Sequence, residues 1–520
     1  MSKQLDVLFV EPNSSQEAYQ GLSDIFSAIE TPTWSLLLAQ SCRSQGYGVA
    51  ILDCAAERLS ASQSVLRIKD ANPRLVVFVM YGQNPNSGTT SMIGANKTAK
   101  MLKDLFPTYP ICFVGSHVSA LPKEVLNYPW VDLVLQNEGV YALWNLLKIT
   151  NFFDIHQLQK IKGIGYKADY KYGLAAEDIK KIAVLNPPER IVPQNRMDID
   201  LPGYAWDLLP YNQKPLDLYR SHFWHSNFDH AKRSPFAAIY TSLGCKFACN
   251  FCMINIVNRV DNADGVIASD SKGMRYWSPQ FILREFEKLN DIGAVTVRIS
   301  DEMFFLNKKY FEPLLQGIIE KQLKLNMWAY SRVDTVQKQY LELFKKAGIE
   351  WLALGIEAAN QTTRLEISKG TFKNVNIEEV VKTIQSADIN IISNYMFGLP
   401  NDTLPIMQET LDFAIRLNTE MISMLPCQAL PGTQLYYDAQ RKGTLPTNLQ
   451  GYAFLSYESE PLPTNFLSSA EVLSFRDRAW NTYMSHPDYL SLVEKKFGSI
   501  ALQNIHLLKN IKLKRKILGD

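Results

Sequence analysis

The feature that most restricts this chain is an alternation of short apolar runs with helical stretches, which occurs twice. DVLFVEP (6–12), GVAILD (48–53), LVVFVMYG (75–82), ICFVGS (111–116) and VDLVLQNEG (131–139) are apolar runs of strand length. Each stops at Pro, Gly or a polar residue, as strands buried on both faces should. Helical spacing fills the gaps, for example at 34–42, stopped by Gly46, and at 92–105. The alternation predicts an α/β fold that begins with a doubly wound parallel sheet over residues 1–150. Such sheets bind ligands beyond the carboxyl ends of their strands, where strand order reverses. Pro12, Asn13, Tyr81, Gly82, Gln83, Asn84, Gly115, Ser116, His117, Asn137, Glu138 and Gly139 fall there. They would make a shelf for a large ligand; they are also what ordinary βα turns want.

The second series is FAAIYTS (236–242), AVTVRIS (294–300), LNMWAYS (325–331), WLALGIE (351–357), INIISNYMF (389–397) and MISMLP (421–426), with helical segments between. Pro279 and Pro405 suit first helical positions. Six βα units predict a partial barrel over 236–440, with chemistry at the carboxyl ends of its strands. Residues 151–235 read as a linker and capping segment: KGIGYKADYKYGLA (162–175) as a hairpin, the Pro-rich 186–210 as an extended crossing. SHFWHSNFDHAKR (221–233) reads as a loop over the active site, since His222, His225 and His230 have no cysteine or paired carboxylate at ligand spacing. Residues 441–520 read as a mixed, mainly helical region whose first part helps to cap the pocket, and Trp206, Trp224, Trp277, Trp328 and Trp351 as core.

Lys plus Arg number 54 against 52 Asp plus Glu. That balance gives no general field for nucleic acid, and the basic KNIKLKRKILGD end reads as a solvated helix terminus. The first residues lack a secretory apolar region, and no apolar run is long enough to span a bilayer. Seven cysteines, three of them crowded together, do not resemble a disulfide framework. A reducing cytoplasm is therefore expected.

The crowded three are Cys245, Cys249 and Cys252 in SLGCKFACNFC (242–252), just past the first strand of the second series. Chance gives that spacing in on the order of one chain in a thousand. The thiolate is the metal-binding species. A structural zinc wants a fourth Cys or His, whereas the neighbours are Lys246, Asn250 and Phe251, and the next cysteine is Cys427. Three thiolates and one vacancy suit an iron–sulfur cluster with an open iron.

Cys-x3-Cys-x-aromatic-Cys, after a strand and opening six βα units, resembles the signature of radical S-adenosylmethionine (SAM) enzymes. RISDEMF (298–304), AYSRVD (329–334), AGIEWLALGIEAANQTTRLEISKG (347–370), YMFGLPNDT (395–403) and ALPGTQLY (429–436) are similar to the cobalamin-binding subgroup of that family. So are FVGSHVSALPKE (113–124) and VDLVLQNEGVYAL (131–143) in the first series. The resemblance implies a 4Fe-4S cluster on Cys245, Cys249 and Cys252, with Phe251 near the adenine of a SAM bound to the fourth iron. One electron, from a flavodoxin- or ferredoxin-like donor, would cleave SAM to a 5′-deoxyadenosyl radical. Glu302 would take the SAM amino group, with Asp301 its rival. Arg332 would pair with the carboxylate, and Glu357 would accept from the ribose. Asn394 and Tyr395 end the fifth strand beside them. Cobalamin would lie on Pro12, Asn13, Tyr81, Gly82, Gly115, Ser116, His117, Asn137, Glu138 and Gly139.

The chain departs from one cobalamin-domain pattern, Asp-x-His-x-x-Gly after the first strand. EPNSSQEAYQG (11–21) contains no His, and the only Asp-x-His, at 154–156, ends in Gln159. No protein histidine is therefore expected on cobalt, and His117 is expected to shape the corrin rim or bond to backbone. The implied activity is methylation of an unactivated carbon of a small molecule or biosynthetic intermediate. Oxidative cyclisation, ring contraction or hydroxylation is the alternative, and a non-catalytic iron–sulfur protein the third reading. Neither 223–233 nor the stretch after Gln440 carries a readable substrate code.

Overall fold

The first series folds as one seven-stranded sheet. β1 (Val7–Glu11), β2 (Val49–Asp53), β3 (Leu75–Met80), β4 (Ile111–Gly115) and β5 (Leu133–Leu135) run parallel in the order 2-1-3-4-5. β6 (Ile164–Lys171) and β7 (Ile179–Leu185) form the expected hairpin and extend the edge beyond β5 as antiparallel strands. This computed structural model describes residues 5–171, 179–259, 267–368 and 370–520. The first four residues, the hairpin tip and Lys369 of the ISKG stretch lie outside them.

The continuous apolar reading of these strands has a direct cause. Leu75, Val77 and Val79 pack in one layer with Leu36, Leu37 and Leu38 of helix α1 (Thr33–Ser44). Val76, Phe78 and Met80 pack in a second layer with α2 (Ala61–Ala71) and α3 (Gly88–Leu105). Both faces are buried, so both registers must be apolar. Each such side chain contributes about 1.5–3 kcal/mol.

Gly115, closing β4, has φ +155° and ψ −178°, a region essentially reserved for glycine. A Cβ there would lie 2.1 Å from the Met80 carbonyl oxygen. Gly115→Ala is expected to cost at least about 1–3 kcal/mol from conformation alone, read as a lowered denaturant midpoint of the full chain.

The second series begins with β8 (Phe236–Ile239). The expected strand 236–242 divides there: β9 (Ser242–Cys245) leaves the sheet and pairs antiparallel with β10 (Gly273–Tyr276). β11 (Thr296–Ile299), β12 (Asn326–Arg332), β13 (Ile349–Glu357), β14 (Asn390–Phe397) and β15 (Met421–Pro426) complete a parallel, curled half-barrel in the order 8-11-12-13-14-15. At the carboxyl-terminal side, α4 (Ser469–Met484) lies against β15. Its Arg476 Nε donates to Met424 O at 2.6 Å, and its Tyr483 hydroxyl donates to Thr419 O at 2.7 Å. No helix among the described residues is long and apolar enough to cross a membrane.

One expectation is corrected here. The 221–233 segment does not cover the active end. Trp224 packs on Trp328 (5.1 Å) and Trp351 (5.0 Å), and His225 packs on Phe236 (6.3 Å). The His225 carbonyl accepts from Asn326 Nδ2 at 3.4 Å. Phe236 and Asn326 are the first residues of their strands. The segment therefore plugs the amino-terminal end of the half-barrel, opposite the cysteines. Its Trp, Phe and His rings are apolar enough to fill a lumen, which a short motif cannot distinguish from a lid. The stretch after Gln440 does reach the other end: Leu445, Tyr452 and Leu462 pack with Phe251, Met396 and Leu399.

Candidate functional site

The cysteine loop is fixed from below by a saturated carboxylate. Asp301, wholly buried past the end of β11, accepts from Thr241 N (2.5 Å), Thr241 Oγ1 (2.6 Å) and Ser242 Oγ (2.5 Å). Those bonds turn the chain out of β8. Gly244 follows with φ +89°, and a Cβ on it would meet Gly273 O at 2.3 Å, so only glycine fits between β9 and β10. Cys245 N–H donates to Asn255 Oδ1 (3.0 Å), and Asn250 N–H donates to Ile367 O (2.9 Å). The loop is thus pinned at several points along its length.

Cys245, Cys249 and Cys252 are the half-buried thiols; Cys42, Cys54, Cys112 and Cys427 are buried. Burial pushes the Cys245 and Cys249 thiols up to about 12, and the Cys252 thiol higher still. Smaller contributions come from one another, from Glu302 for Cys245 and Cys252, and from Glu357 for Cys249. The three sulfurs therefore share one site with both carboxylates. Among the described residues, no three His, Cys, Asp or Glu side chains converge closely enough to hold a single metal ion. Zinc would need every sulfur about 2.3 Å from one point. A cube takes each sulfur at a different corner, so this donor set fits a cluster better than an ion.

Glu302 follows Asp301, but its carboxyl is unsaturated. Oε1 is buried with no partner among the described residues, and burial raises its pKa to about 7. Glu357 ends β13 beyond a register shift, at φ +67°, a conformation costly for a non-glycine residue. Burial raises it to about 7 as well, with Arg332 opposing. Arg332 is held rather than free: its fork pairs with Asp334 (2.9 and 2.8 Å), NH2 reaches Thr371 O (3.1 Å), and the guanidinium lies between Phe247 (3.8 Å) and Phe372 (4.5 Å). Phe247 belongs to the cysteine loop, so Arg332 braces it. Phe251 packs with Met396, Cys427 and Leu435 at the barrel mouth. Asn394 is half-buried. Tyr395 is not brought to this site: strand neighbours point to opposite faces, and Tyr395 is wholly buried in the main apolar core, near enough to Tyr483 of α4 to affect its ionisation.

The first sheet meets this loop edge-on, and most of its strand-end residues already have partners. The Tyr81 hydroxyl donates to Asn137 O (2.5 Å), and its ring stacks on Trp34 (4.4 Å). Asn137 Nδ2 donates to Arg259 O (2.7 Å). Glu138 accepts from Val192 N–H (2.9 Å) and forms an ion pair with Arg275 of β10. Ser116 Oγ donates to Pro85 O (2.5 Å). Asn13 accepts from Ser15 N–H (3.1 Å) and donates to Leu59 O (3.3 Å), with Pro12 buried before it. Gly82 and Gly139 take positive φ, +61° and +73°, at the β3 and β5 turns. His117 Nδ1 bonds Thr89 Oγ1 (3.1 Å); burial lowers its pKa to about 4, so the ring is neutral, and Nε2 has no partner among the described residues.

At this seam a small cavity of about 20 Å³ opens, lined by Trp34 of α1 and Pro85 of the turn after β3 and, from the barrel side, by Tyr240, Ser242, Leu243, Gly244, Ile254, Val257 and Glu302. In three of these residues a polar atom, Trp34 Nε1, the Tyr240 hydroxyl and Glu302 Oε1, is buried without a partner among the described residues. A wider cleft among Lys338, Leu341, Glu342, Lys345, Glu379 and Lys382 lies on the outer helices.

Comparison with known proteins agrees with this arrangement. The Radical SAM superfamily model matches residues 239–414, and the B12 binding domain model matches residues 26–147. The chain belongs to the cobalamin-binding radical SAM enzymes. An uncharacterized methyltransferase of Pyrococcus horikoshii is 26% identical over 407 residues, 78% of either chain. An anaerobic magnesium-protoporphyrin IX monomethyl ester cyclase of Cereibacter sphaeroides is 23% identical over 83% of this enzyme and 63% of its own length. The radical SAM methyltransferase TsrM of Kitasatospora setae, solved with cobalamin and a [4Fe-4S] cluster, superposes at a TM-score of 0.60 and 15% identity. That match covers 86% of this enzyme and 79% of TsrM, and shows the shared fold.

Several residues of the enzyme's site escaped the sequence reading. Trp34 and Pro85 line the cavity, Asn255 and Asp334 brace the loop, and Asn86 crosses the seam to it. Only Asp334 carried a signal, as a carboxylate two positions after Arg332.

Proposed function

We propose that this enzyme transfers a methyl group from SAM to an unactivated carbon of a small molecule, with the cluster on Cys245, Cys249 and Cys252 and cobalamin against the carboxyl edge of the first sheet. One observation carries the reading: three residues that line one small cavity beside the cysteine loop, Trp34, Tyr240 and Glu302, each bury a polar atom (Nε1, the hydroxyl and Oε1) with no partner among the described residues. Each such atom costs about 1–3 kcal/mol when unmet. Three such residues beside one void support a bound group that meets their polar atoms. When bound, the cluster and the corrin supply one-electron cleavage of SAM and a methyl carrier; a flavodoxin- or ferredoxin-like protein would deliver the electron.

The chain's own residues bind, orient and exclude water. Glu302 is the acceptor for the SAM ammonium, because Asp301 is saturated by Thr241 and Ser242. An ammonium there would return the raised Glu302 carboxyl to its charged form. Glu357 and Asn394 face the ribose side, and Phe251 with its apolar neighbours walls the adenine side. Arg332 acts chiefly by holding Phe247. Glu138 and Asn137 hold the seam shut and Ser116 holds the Pro85 turn, so the cavity wall rather than these polar side chains touches the corrin.

Methylation is favoured because a relative matched over 78% of the chain is named a methyltransferase. The cyclase relative supports oxidation without methyl transfer. SAM carrying a trideuterated methyl group separates them. The expected product retains an intact trideuteromethyl group; an unlabelled product that has lost hydrogen or gained oxygen sinks methyl transfer.

A further inference from the structure

The side chain of Asn86 sits on the turn Pro85–Ser87 that follows β3. It belongs to the first sheet, yet both ends of its amide address the cysteine loop. Nδ2 donates to Cys252 Sγ at 3.5 Å, and Oδ1 accepts from Met253 N–H at 2.9 Å. A backbone N–H can only donate, so it fixes which way the amide points and leaves the NH2 for the sulfur. The turn itself is fixed. Asn86 N–H donates to Asn84 Oδ1 (2.9 Å), and the Pro85 carbonyl accepts from Ser116 Oγ (2.5 Å) at the end of β4. The donor therefore reaches a thiol from a rigid strand end of a different sheet.

We propose that Asn86 is a positioning residue that docks the corrin-side sheet onto a cluster ligand and raises the cluster's reduction potential. The inference rests on Cys252 being a cluster ligand. Adding an electron makes a thiolate-bound cluster more negative. An N–H aimed at one of its sulfurs stabilises that state more than the oxidised one, and hydrogen bonds to sulfur are among the terms that set such potentials. The same contact ties the geometry of the first sheet to that of Cys252, so the two cofactor compartments share one wall.

The test is an EPR-monitored redox titration of full-length, anaerobically reconstituted enzyme. Asn86→Asp keeps an acceptor for Met253 N–H and hence the docking, but removes the donor and adds negative charge. Asn86→Ala removes both contacts. Both variants are expected to keep wild-type iron and sulfide content and to titrate at more negative potential, Asn86→Asp furthest. A tenfold change in the reduction equilibrium would read as 59 mV for this one-electron couple. Equal midpoints in all three proteins overturn the proposal. A Cys252→Ala protein that retains a full, spectrally unchanged cluster instead overturns the ligand assignment beneath it, and the two failures look different.

Discussion

Enzyme carrying Cys245→Ala, Cys249→Ala or Cys252→Ala is expected to take up no four-iron cluster on anaerobic reconstitution and to cleave SAM at background rate. The loss should exceed the roughly 10–100-fold that outer contacts of a metal site cost, because each sulfur supplies a bond that no neighbour can replace. Burial favours the protonated form of all three thiols, so binding must displace their protons, and that free energy comes from the metal. Cys42→Ala and Cys112→Ala are the controls. Both thiols are buried among apolar side chains of the first domain, and their loss should lower stability but leave iron and sulfide content intact. Full iron loading in any of the three loop variants would remove the basis of the functional reading.

The second large effect is structural. Arg298, wholly buried on β11, pairs with Glu30 at 2.5 Å, and His222 Nε2 meets the other Glu30 oxygen at 2.9 Å. The guanidinium lies over Trp328 (4.8 Å) and Tyr330 (5.4 Å). This buried ion pair joins the segment before α1 to the barrel. Glu30→Gln strands a buried charge and is expected to cost about 3–5 kcal/mol, read from the denaturant midpoint. Glu17→Gln breaks the exposed pair with Lys97 (63% exposed) and should cost less than about 1 kcal/mol. Burial works against the Glu30 carboxylate, but Arg298 and His222 outweigh it and hold it below its ordinary 4.5. A lowered carboxylate contributes stability above its unfolded value and loses it as pH falls through its folded one. The gap between wild type and Glu30→Gln should therefore be open near neutral pH and close in acid as Glu30 takes up a proton. A gap that stays open in acid would mean that the charge is not its source.

Much of this was legible in the residues alone, for reasons that differ by element. β3 and β4 were readable because a strand buried on both faces must be apolar at every position. The thiol loop was readable because cysteine is rare enough for spacing to carry information. The strand 236–242 was read as one piece because nothing local shows that Asp301, about sixty positions away, turns the chain at Thr241. The aromatic 221–233 segment was read as a lid because Trp and His suit a pocket rim as well as a barrel plug. Tyr395 was placed beside Asn394 because adjacency in sequence hides the strand's alternation of faces.

The order of elements, the two sheets and the three sulfurs were determined by the sequence itself, because periodicity and residue rarity are properties of neighbours along a chain. Which carboxylate is free, which strand ends close the seam, and that Asn86 reaches Cys252 across 166 residues were decided only by tertiary structure. Saturation of a polar group depends on what folds against it, and those partners lie far away in sequence.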